Sequence, residues 1–193
     1  MSCGPKCKAT NIRVYPGLTN QSYTNHTYYT GGQYFIYPEY ERNQYIPWDL
    51  ALIRLNTAIP LDGTSGSSGI NAICLPEEMA LNAGEEYALL NGFGTDNSNG
   101  TGSGIQRIGW TKIMKSKYDP NNTFQRNYVL YAKRIPFPSG SATCSGDSGS
   151  PYVQYVNGLA VLIGIHSSTD KNPGESCLKV TEHSKLNAVR ITI

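Results

Sequence analysis

The sequence predicts an all-β fold, either a sandwich or a barrel, from three observations. Only 16% of the 193 residues are charged, whereas Tyr (14 residues) and Gly (20 residues) are plentiful, a composition typical of β-rich proteins. Short alternating segments are separated by Pro and Gly turn signals along most of the chain. Two apolar segments, 152–156 and 159–165, flank Asn157-Gly158, which is the strongest short-range signal for a β-hairpin.

The alternating segments predict further strands, most of them closed by Pro or Gly. Residues 18–32 are polar and are expected to form a surface loop, and residues 73–76 are expected to connect two halves of the chain. The stretch from Glu182 to Ile191 is the one segment predicted as a helix. Strands are predicted over residues 11–15, 33–37, 51–55, 86–90, 105–114 and 128–134.

Composition also limits the classes of partner. The formal net charge of +2 gives no reason to expect nucleic acid or an anionic membrane as a partner. The longest apolar run, Leu159 to Leu162, is far shorter than the ~20 residues of a membrane-spanning helix. We expect neither a cofactor nor a metal ion.

Two features favour an extracellular compartment. Sequons for N-glycosylation begin at Asn20, Asn25, Asn99 and Asn121, and sequons are used on the surface of secreted proteins. Five cysteines, an odd number, are also more typical of an oxidising compartment than of the cytosol. Residues 1–7 lack the apolar region of a secretory signal. We therefore expect a secreted, disulfide-containing glycoprotein whose signal peptide lies outside this chain.

The motif Gly146-Asp147-Ser148-Gly149 carries the strongest chemical signal. A serine hydroxyl is a poor nucleophile unless a base takes its proton and hydrogen-bond donors hold the developing oxyanion. The two glycines let the backbone approach closely and aim N–H groups at one point. The N–H groups of Gly146 and Ser148 are therefore the predicted oxyanion donors. The alternative is an Asx-type turn with an incidental serine.

The hairpin register places this motif in space. A two-residue turn at Asn157-Gly158 makes Val153 face Leu162 and brings Ser148 opposite Ser167. A bulge could shift this pairing by a residue or two. The Gly-Asp-Ser-Gly turn is thus predicted to lie beside His166 and Ser167.

Four segments in order resemble the trypsin/chymotrypsin family of serine endopeptidases, over essentially the whole chain. They are Asp-Leu-Ala-Leu-Ile-Arg-Leu at 49–55, Ile-Cys-Leu-Pro at 73–76, Gly-Asp-Ser-Gly-Ser-Pro at 146–151, and the terminal helix. The resemblance implies two packed antiparallel six-stranded β-barrels with the site in the cleft between them. Residues 1–75 would be the remainder of an incomplete N-terminal barrel, and residues 76–193 the C-terminal barrel with a short terminal helix. It also implies hydrolysis of protein or peptide substrates through an acyl-enzyme, with protein inhibitors as further partners.

By motif, the resemblance assigns roles to four residues. Ser148 would be the nucleophile, and Asp49 the buried carboxylate that orients the catalytic histidine, although a capping aspartate is the alternative for Asp49. Ser167 would be the polar residue near that carboxylate, on the strand that holds the substrate backbone. Asp147 would pair with the N-terminal amine that zymogen cleavage frees.

The resemblance also implies a pocket and a disulfide. Ala142 would form the pocket floor, where trypsin-like enzymes carry an aspartate, and Thr169 a wall. The uncharged floor removes the reason to prefer Lys or Arg, and Thr169 is expected to narrow the pocket toward small or medium apolar side chains. Cys144 would bridge across the pocket, with Cys177 as the candidate partner. Cys74 resembles the cysteine that ties a propeptide to the catalytic domain.

The general base has no evident candidate among the three histidines. His26 lies in a polar loop and is expected at the surface, and His183 begins the predicted helix and is expected to be solvated. His166 is expected to pack with its side chain turned away from the face of Ser167. Either the chain lacks an N-terminal part that carries the histidine, or it is a homologue without a base that serves as a binding or regulatory protein. Under the first explanation, which we favour, the half-barrel exposes strand edges and apolar surface.

Overall fold

The computed structural model describes residues 9–23, 25–38, 40, 49–63, 69–76, 87–96, 102–114, 129–135 and 143–169, and the backbone of 185–190. This part of the chain contains nine β-strands and no helix, so the predicted all-β class is confirmed. None of the described residues belongs to a helix that is long and apolar enough to cross a membrane. The strands are β1 (Arg13–Val14), β2 (Tyr29–Ile36), β3 (Ala51–Leu55), β4 (Tyr87–Gly92), β5 (Arg107–Ile113), β6 (Val129–Arg134), β7 (Pro151–Val156), β8 (Leu159–Thr169) and β9 (Lys185–Arg190).

The first three strands form an antiparallel sheet in the order β1-β2-β3. Strand β2 begins at Tyr29, within the stretch 18–32 that was expected to be a loop, because the end of that stretch pairs with β1. In the β2–β3 ladder Phe35 lies opposite Leu52, and the register shifts between Gly31 and Gln33. This sheet is what the described residues contain of the predicted incomplete first barrel.

The other six strands close into a barrel in the order β4-β5-β6-β9-β8-β7, with antiparallel neighbours throughout. Alternate residues of these strands point inward, as the two-residue period of a strand requires. The resulting core is a single apolar cluster built from Ala88, Leu90, Leu130, Ala132, Tyr152, Val161 and Ile163. The barrel thus confirms the six-stranded, chymotrypsin-like half that the resemblance implies.

The helix predicted over Glu182 to Ile191 is wrong for residues 185–190, which form β9. Strand β9 pairs with β6 on one side and with β8 on the other, so it closes the barrel. Without it both neighbours would present open edges, and an unpaired edge is a liability in a folded domain. Helix propensity is a weak preference that such tertiary pairing overrides.

The β7–β8 hairpin has the turn that its sequence predicts. The φ angles of Asn157 and Gly158 are 51° and 79°, which are the positive values that a type I′ turn requires at both central positions. Val153 lies opposite Leu162 as predicted, but the register shifts between Tyr152 and Val153, so that Tyr152 lies opposite Gly164. This bulge moves the pairing next to the Gly-Asp-Ser-Gly motif by one residue.

Two short contacts tie the remaining described segments to the barrel. Asn20 bridges Ile105 antiparallel, and Cys74 bridges Val161 in parallel. At the second contact the Cys74 N–H donates to the Ala160 carbonyl at 3.1 Å, and the Leu162 N–H donates to the Cys74 carbonyl at 2.9 Å. The segment predicted to connect the two halves therefore runs along β8, while the boundary at residue 75 stays a prediction.

Candidate functional site

The loop that bears Ser148 is held by backbone turns and by two glycines. The Asp147 N–H donates to the Cys144 carbonyl at 3.1 Å, and the Gly149 N–H donates to the His166 carbonyl at 2.8 Å. Gly146 and Gly149 have φ angles of 97° and 87°, values that side-chain-bearing residues adopt only with strain. The loop presents Ser148 as an exposed residue three positions before β7 begins.

The Asp147 carboxylate fastens this loop to the segment after β4. Its two oxygens accept hydrogen bonds from the Gly94 and Cys144 N–H groups, each at 2.8 Å. A Cβ atom on Gly94 would lie 2.5 Å from the carboxyl carbon of Asp147, so only glycine leaves room for the carboxylate there. The carboxylate thus ties the start of the loop, at Cys144, to the segment at Gly94. Its predicted pairing with an N-terminal amine stays a prediction.

Ser167 joins the two residues assigned to catalysis. Its hydroxyl donates to Oδ2 of Asp49 at 2.7 Å, and its carbonyl accepts a long hydrogen bond, 3.5 Å, from the Ser148 hydroxyl. The structure therefore brings Asp49, Ser148 and Ser167 to one place, although 118 residues separate Asp49 from Ser167 in the chain. Asp49 is exposed rather than buried as expected, and within the described residues β3, which follows it, pairs with β2 alone.

The candidate oxyanion donors are available. Gly146 and Ser148 are both exposed, and neither N–H group has an acceptor among the residues that the structure describes. Two donors on one loop, unoccupied by any acceptor in the described part of the chain, are what an oxyanion site needs.

His166 is buried, as predicted, with 4% of its surface exposed. Its Nδ1 lies 3.3 Å from the Tyr152 hydroxyl, and its Nε2 lies 3.4 Å from the Thr169 hydroxyl. The Thr169 hydroxyl in turn is hydrogen-bonded to that of Thr143, which is 1% exposed. Burial lowers the pKa of His166 to about 4, and the charge of Asp147 opposes this in part.

A second β-bulge explains how His166 and Thr169 come into contact. Residues three apart on a regular strand lie on opposite faces. In the β8–β9 ladder, however, the register shifts between His166 and Ser168, and one extra residue reverses the alternation beyond it. The extra residue is Ser167, which reaches Asp49, while His166 and Thr169 turn into the polar cluster.

The histidines do not complete the site. Neither described histidine, His26 or His166, makes a hydrogen bond to Ser148 or Asp49, and His183 lies outside the described residues. His26 is half-buried near the ring of Tyr23, at 6.0 Å between centroids, and its Nε2 atom is buried without a partner. No histidine in the described part of the chain is placed as the general base.

The structure describes only some of the residues predicted to form the pocket and the disulfide. Ala142 and Cys177 lie outside the described residues, so the pocket floor and the disulfide stay predictions. The Cys144 sulfur lies 2.8 Å from the Thr95 hydroxyl, and Cys74 is an exposed free thiol. Within the described ranges, no group of three or more His, Cys, Asp or Glu residues is placed to hold a metal ion. Sequence reasoning missed Thr143 and Tyr152. Their contacts with β8 depend on bulges that no local sequence pattern predicts.

Comparison with known proteins gives a family model and several relatives. The family model named Trypsin matches residues 2–188. The chain is 32% identical over 121 residues to U21-ctenitoxin-Pn1a of Phoneutria nigriventer, covering 60% of this chain and 49% of that protein. It is 32% identical over 126 residues to ovochymase of Halocynthia roretzi, covering 63% and 7% of the two chains. It is 30% identical over 125 residues to CLIP domain-containing serine protease B4 of Anopheles gambiae, covering 62% and 33%. The matches span about half or less of these relatives.

Proposed function

This chain belongs to the trypsin family, and from that premise we propose that it is a serine endopeptidase with Ser148 as its nucleophile. The observation that carries the proposal is the position of Ser167, which donates to Asp49 and accepts from Ser148. An exposed serine beside two free N–H donors, linked to a carboxylate from a distant segment, fits acyl transfer better than a structural turn. The substrates are proteins or peptides, as the family's activity implies.

In the proposed reaction the Ser148 oxygen attacks the carbonyl carbon of the scissile bond, and its proton passes to an imidazole base. The negative charge that develops on the carbonyl oxygen is held by the N–H groups of Gly146 and Ser148. The base then returns the proton to the leaving amine, and the acyl group stays on Ser148. Water, deprotonated by the same base, hydrolyses the ester and restores the hydroxyl. Asp49 orients the base and stabilises its protonated form.

Asp147 contributes by fixing the loop before the reaction begins. Its carboxylate binds the N–H groups of Gly94 and Cys144, so the donors at 146 and 148 do not need to be organised when substrate arrives. Preorganised donors stabilise charge without a reorganisation cost. We also propose the pairing of Asp147 with a freed N-terminal amine, as in zymogen activation of the family.

A second candidate function is a binding or regulatory protein without catalysis. It is favoured by the position of the Ser148 hydroxyl, which donates to a backbone carbonyl. Among the residues that the structure describes, no histidine makes a hydrogen bond to that hydroxyl. A fold can be kept while its chemistry is lost. The two candidates differ in whether an imidazole reaches Ser148.

Imidazole added in solution separates the two candidates. Residues 1–193 are treated with a fluorophosphonate probe at several imidazole concentrations, and modification of Ser148 is read by peptide mass spectrometry. An assembled site that lacks only the base accepts a diffusible one, so we expect labelling to rise with imidazole and with its deprotonation near pH 7.

The matched control is Ser148→Ala, which removes the nucleophile and keeps the loop glycines. Labelling of Ser148 without imidazole also supports the endopeptidase, because it shows that a base is already in place. Ser148 that stays unlabelled at every imidazole concentration, in a chain whose fold is verified by circular dichroism, refutes the endopeptidase and supports the binding protein.

Three finer features accompany this proposal. We propose that the protein acts outside the cell, as the sequons at Asn20, Asn25, Asn99 and Asn121 suggest. We propose a disulfide between Cys144 and Cys177, and a boundary between the two halves near residue 75. Mass mapping of glycans and of non-reduced peptides tests the first two, and limited proteolysis tests the third.

A further inference from the structure

Four polar side chains form a buried cluster that the proposed reaction does not use. The chain of contacts runs from Tyr152 through His166 and Thr169 to Thr143. Tyr152 is fully buried, His166 is 4% exposed and Thr143 is 1% exposed. Polar groups buried in a β-barrel are costly unless each hydrogen finds an acceptor. We call these four residues the threonine–histidine cluster.

The cluster holds one donor hydrogen too many. Burial raises the pKa of the Tyr152 hydroxyl well above its ordinary value, so the phenol keeps its proton, and His166 is neutral above pH 4 and carries one N–H. Each of the four groups thus brings one donor hydrogen, but only three hydrogen bonds join them.

The surplus hydrogen lies at one end of the chain. If Tyr152 donates to Nδ1 of His166, the free hydrogen is on Thr143. If the direction is reversed, it is on Tyr152. Neither residue has another hydrogen-bond partner in the described part of the chain. Tyr152 lies in the apolar core. Thr143 is also buried, but it lies on the loop of the nucleophile and contacts the half-buried Thr169, so the Thr143 end is the end nearer to solvent.

The cluster lies on the two segments that carry the candidate catalytic groups. Thr143 precedes Ser148 on one loop, and Thr169 follows Ser167 on β8, where the bulge turns His166 and Thr169 to the same side. Thr169 is half-buried, so it lies between the buried groups and solvent. By the family resemblance, Thr169 is expected at the wall of the pocket that takes the substrate side chain, and Ser167, two residues before it, contacts Ser148.

We propose that the threonine–histidine cluster makes the pocket expected beside Ser148 select an acidic substrate side chain, glutamate or aspartate. This inference rests on the proposed function and replaces the apolar preference that Ala142 and Thr169 suggest in the sequence. A carboxylate accepts hydrogen bonds and donates none, so it takes the surplus hydrogen. An aliphatic side chain would bury the same hydroxyl groups without an acceptor.

His166 makes the subsite responsive to a charged ligand. A carboxylate beside the cluster favours the protonated imidazole and adds a second donor and a positive charge, and charge-assisted hydrogen bonds are about twice as strong as neutral ones. Among the described side chains, the titratable groups that face His166 are Tyr152 on β7 and Asp147 on the loop. The two N–H groups that Asp147 accepts from offset its charge, so it does not repel the ligand in full.

Peptide binding tests the subsite without requiring turnover. Fluorescent peptide amides that end in Ala-Ala-Pro-Glu, Ala-Ala-Pro-Gln and Ala-Ala-Pro-Leu are titrated into the chain, and affinity is read by anisotropy. We expect the glutamate peptide to bind about tenfold more tightly than the glutamine peptide, because only the first gains a charge-assisted bond. Carbon-13-labelled histidine reports the titration of His166 by NMR, and its midpoint is expected to rise with the glutamate peptide alone.

Thr169→Val is the informative variant, since it removes one hydroxyl without a change in side-chain size. We expect it to lose the preference for glutamate, whereas Thr111→Val, which removes a buried hydroxyl from β5 on the far side of the barrel, keeps the preference. Equal affinity for the three peptides, or an unchanged His166 titration, overturns the subsite. Failure of Ser148 to react with the fluorophosphonate while glutamate binding persists overturns the endopeptidase and leaves the subsite standing.

Discussion

The three-stranded sheet and the closed barrel contain the same kinds of apolar residue, but these are exposed in the sheet and buried in the barrel. In the sheet Phe35, Ile36 and Leu52 are 54%, 54% and 66% exposed, whereas in the barrel Leu90, Leu130 and Ile163 are 5%, 4% and 2% exposed. The difference is closure, because a barrel pairs every strand edge and shields one face, whereas three strands shield neither. An apolar strand is therefore stable only where the remaining strands complete its surroundings.

The largest expected effect on stability comes from truncating an apolar side chain in the barrel core. Ile163→Ala removes a side chain that is 2% exposed, and we expect it to lower the free energy of unfolding by about 2–5 kcal/mol. Leu52→Ala in the sheet is the matched change at a position that is 66% exposed, with an expected loss below about 1 kcal/mol. Urea denaturation measures both. Equal losses would contradict the contrast between the two regions.

We expect acid to destabilise the barrel through His166. Its pKa is lowered to about 4 by burial, so between pH 6.5 and 4 the unfolded chain binds a proton that the native chain does not. Stability is therefore complete above pH 6.5 and falls as the pH drops toward 4, by on the order of 3 kcal/mol. His166→Gln is expected to flatten this slope in urea titrations at several pH values, while Thr111→Val retains it. A slope unchanged in His166→Gln would assign the acid sensitivity to other groups.

Disruption of the contact between Gly94 and Asp147 is expected to have a smaller effect on stability and a larger effect on the reactivity of Ser148. Gly94→Ala places a Cβ against the carboxylate and is expected to cost about 1–3 kcal/mol and to abolish imidazole-dependent labelling of Ser148. Gly158→Ala adds a Cβ in open space at a φ of 79°, so it strains the hairpin turn and leaves labelling intact. Loss of labelling in both variants would mean that the site depends on global stability alone.

The smallest change in stability is expected at the exposed sheet, where solubility is the informative measurement. Leu52→Lys replaces an exposed apolar side chain on β3 with a charge, which opposes edge-to-edge association. We expect the free energy of unfolding to change by less than about 0.5 kcal/mol and the concentration at which the chain aggregates to rise. Light scattering tests this, with Arg54→Lys as the charge-conserving control. An unchanged aggregation threshold would mean that the β2–β3 surface is covered.

Local sequence determined much of this molecule. Asn157-Gly158 set the type I′ turn because both positions require positive φ, and the sequence pattern located five of the six barrel strands within a few positions. Gly146 and Gly149 predicted a loop whose backbone approaches closely, and the hairpin register then placed Ser148 near Ser167. These features depend on residues close together in the chain.

Tertiary structure alone decided the rest. Residues 185–190 became a strand rather than a helix because the edges of β6 and β8 required a partner between them. The bulge at Ser167 turned His166 and Thr169 to the same side, and it joined them to Tyr152 and Thr143 in a cluster that no sequence pattern marks. The exposure of Asp49 likewise depends on which strands surround the end of β3. Periodicity specifies which face of a strand is apolar, but pairing between distant strands determines the register, and the register determines which side chains meet.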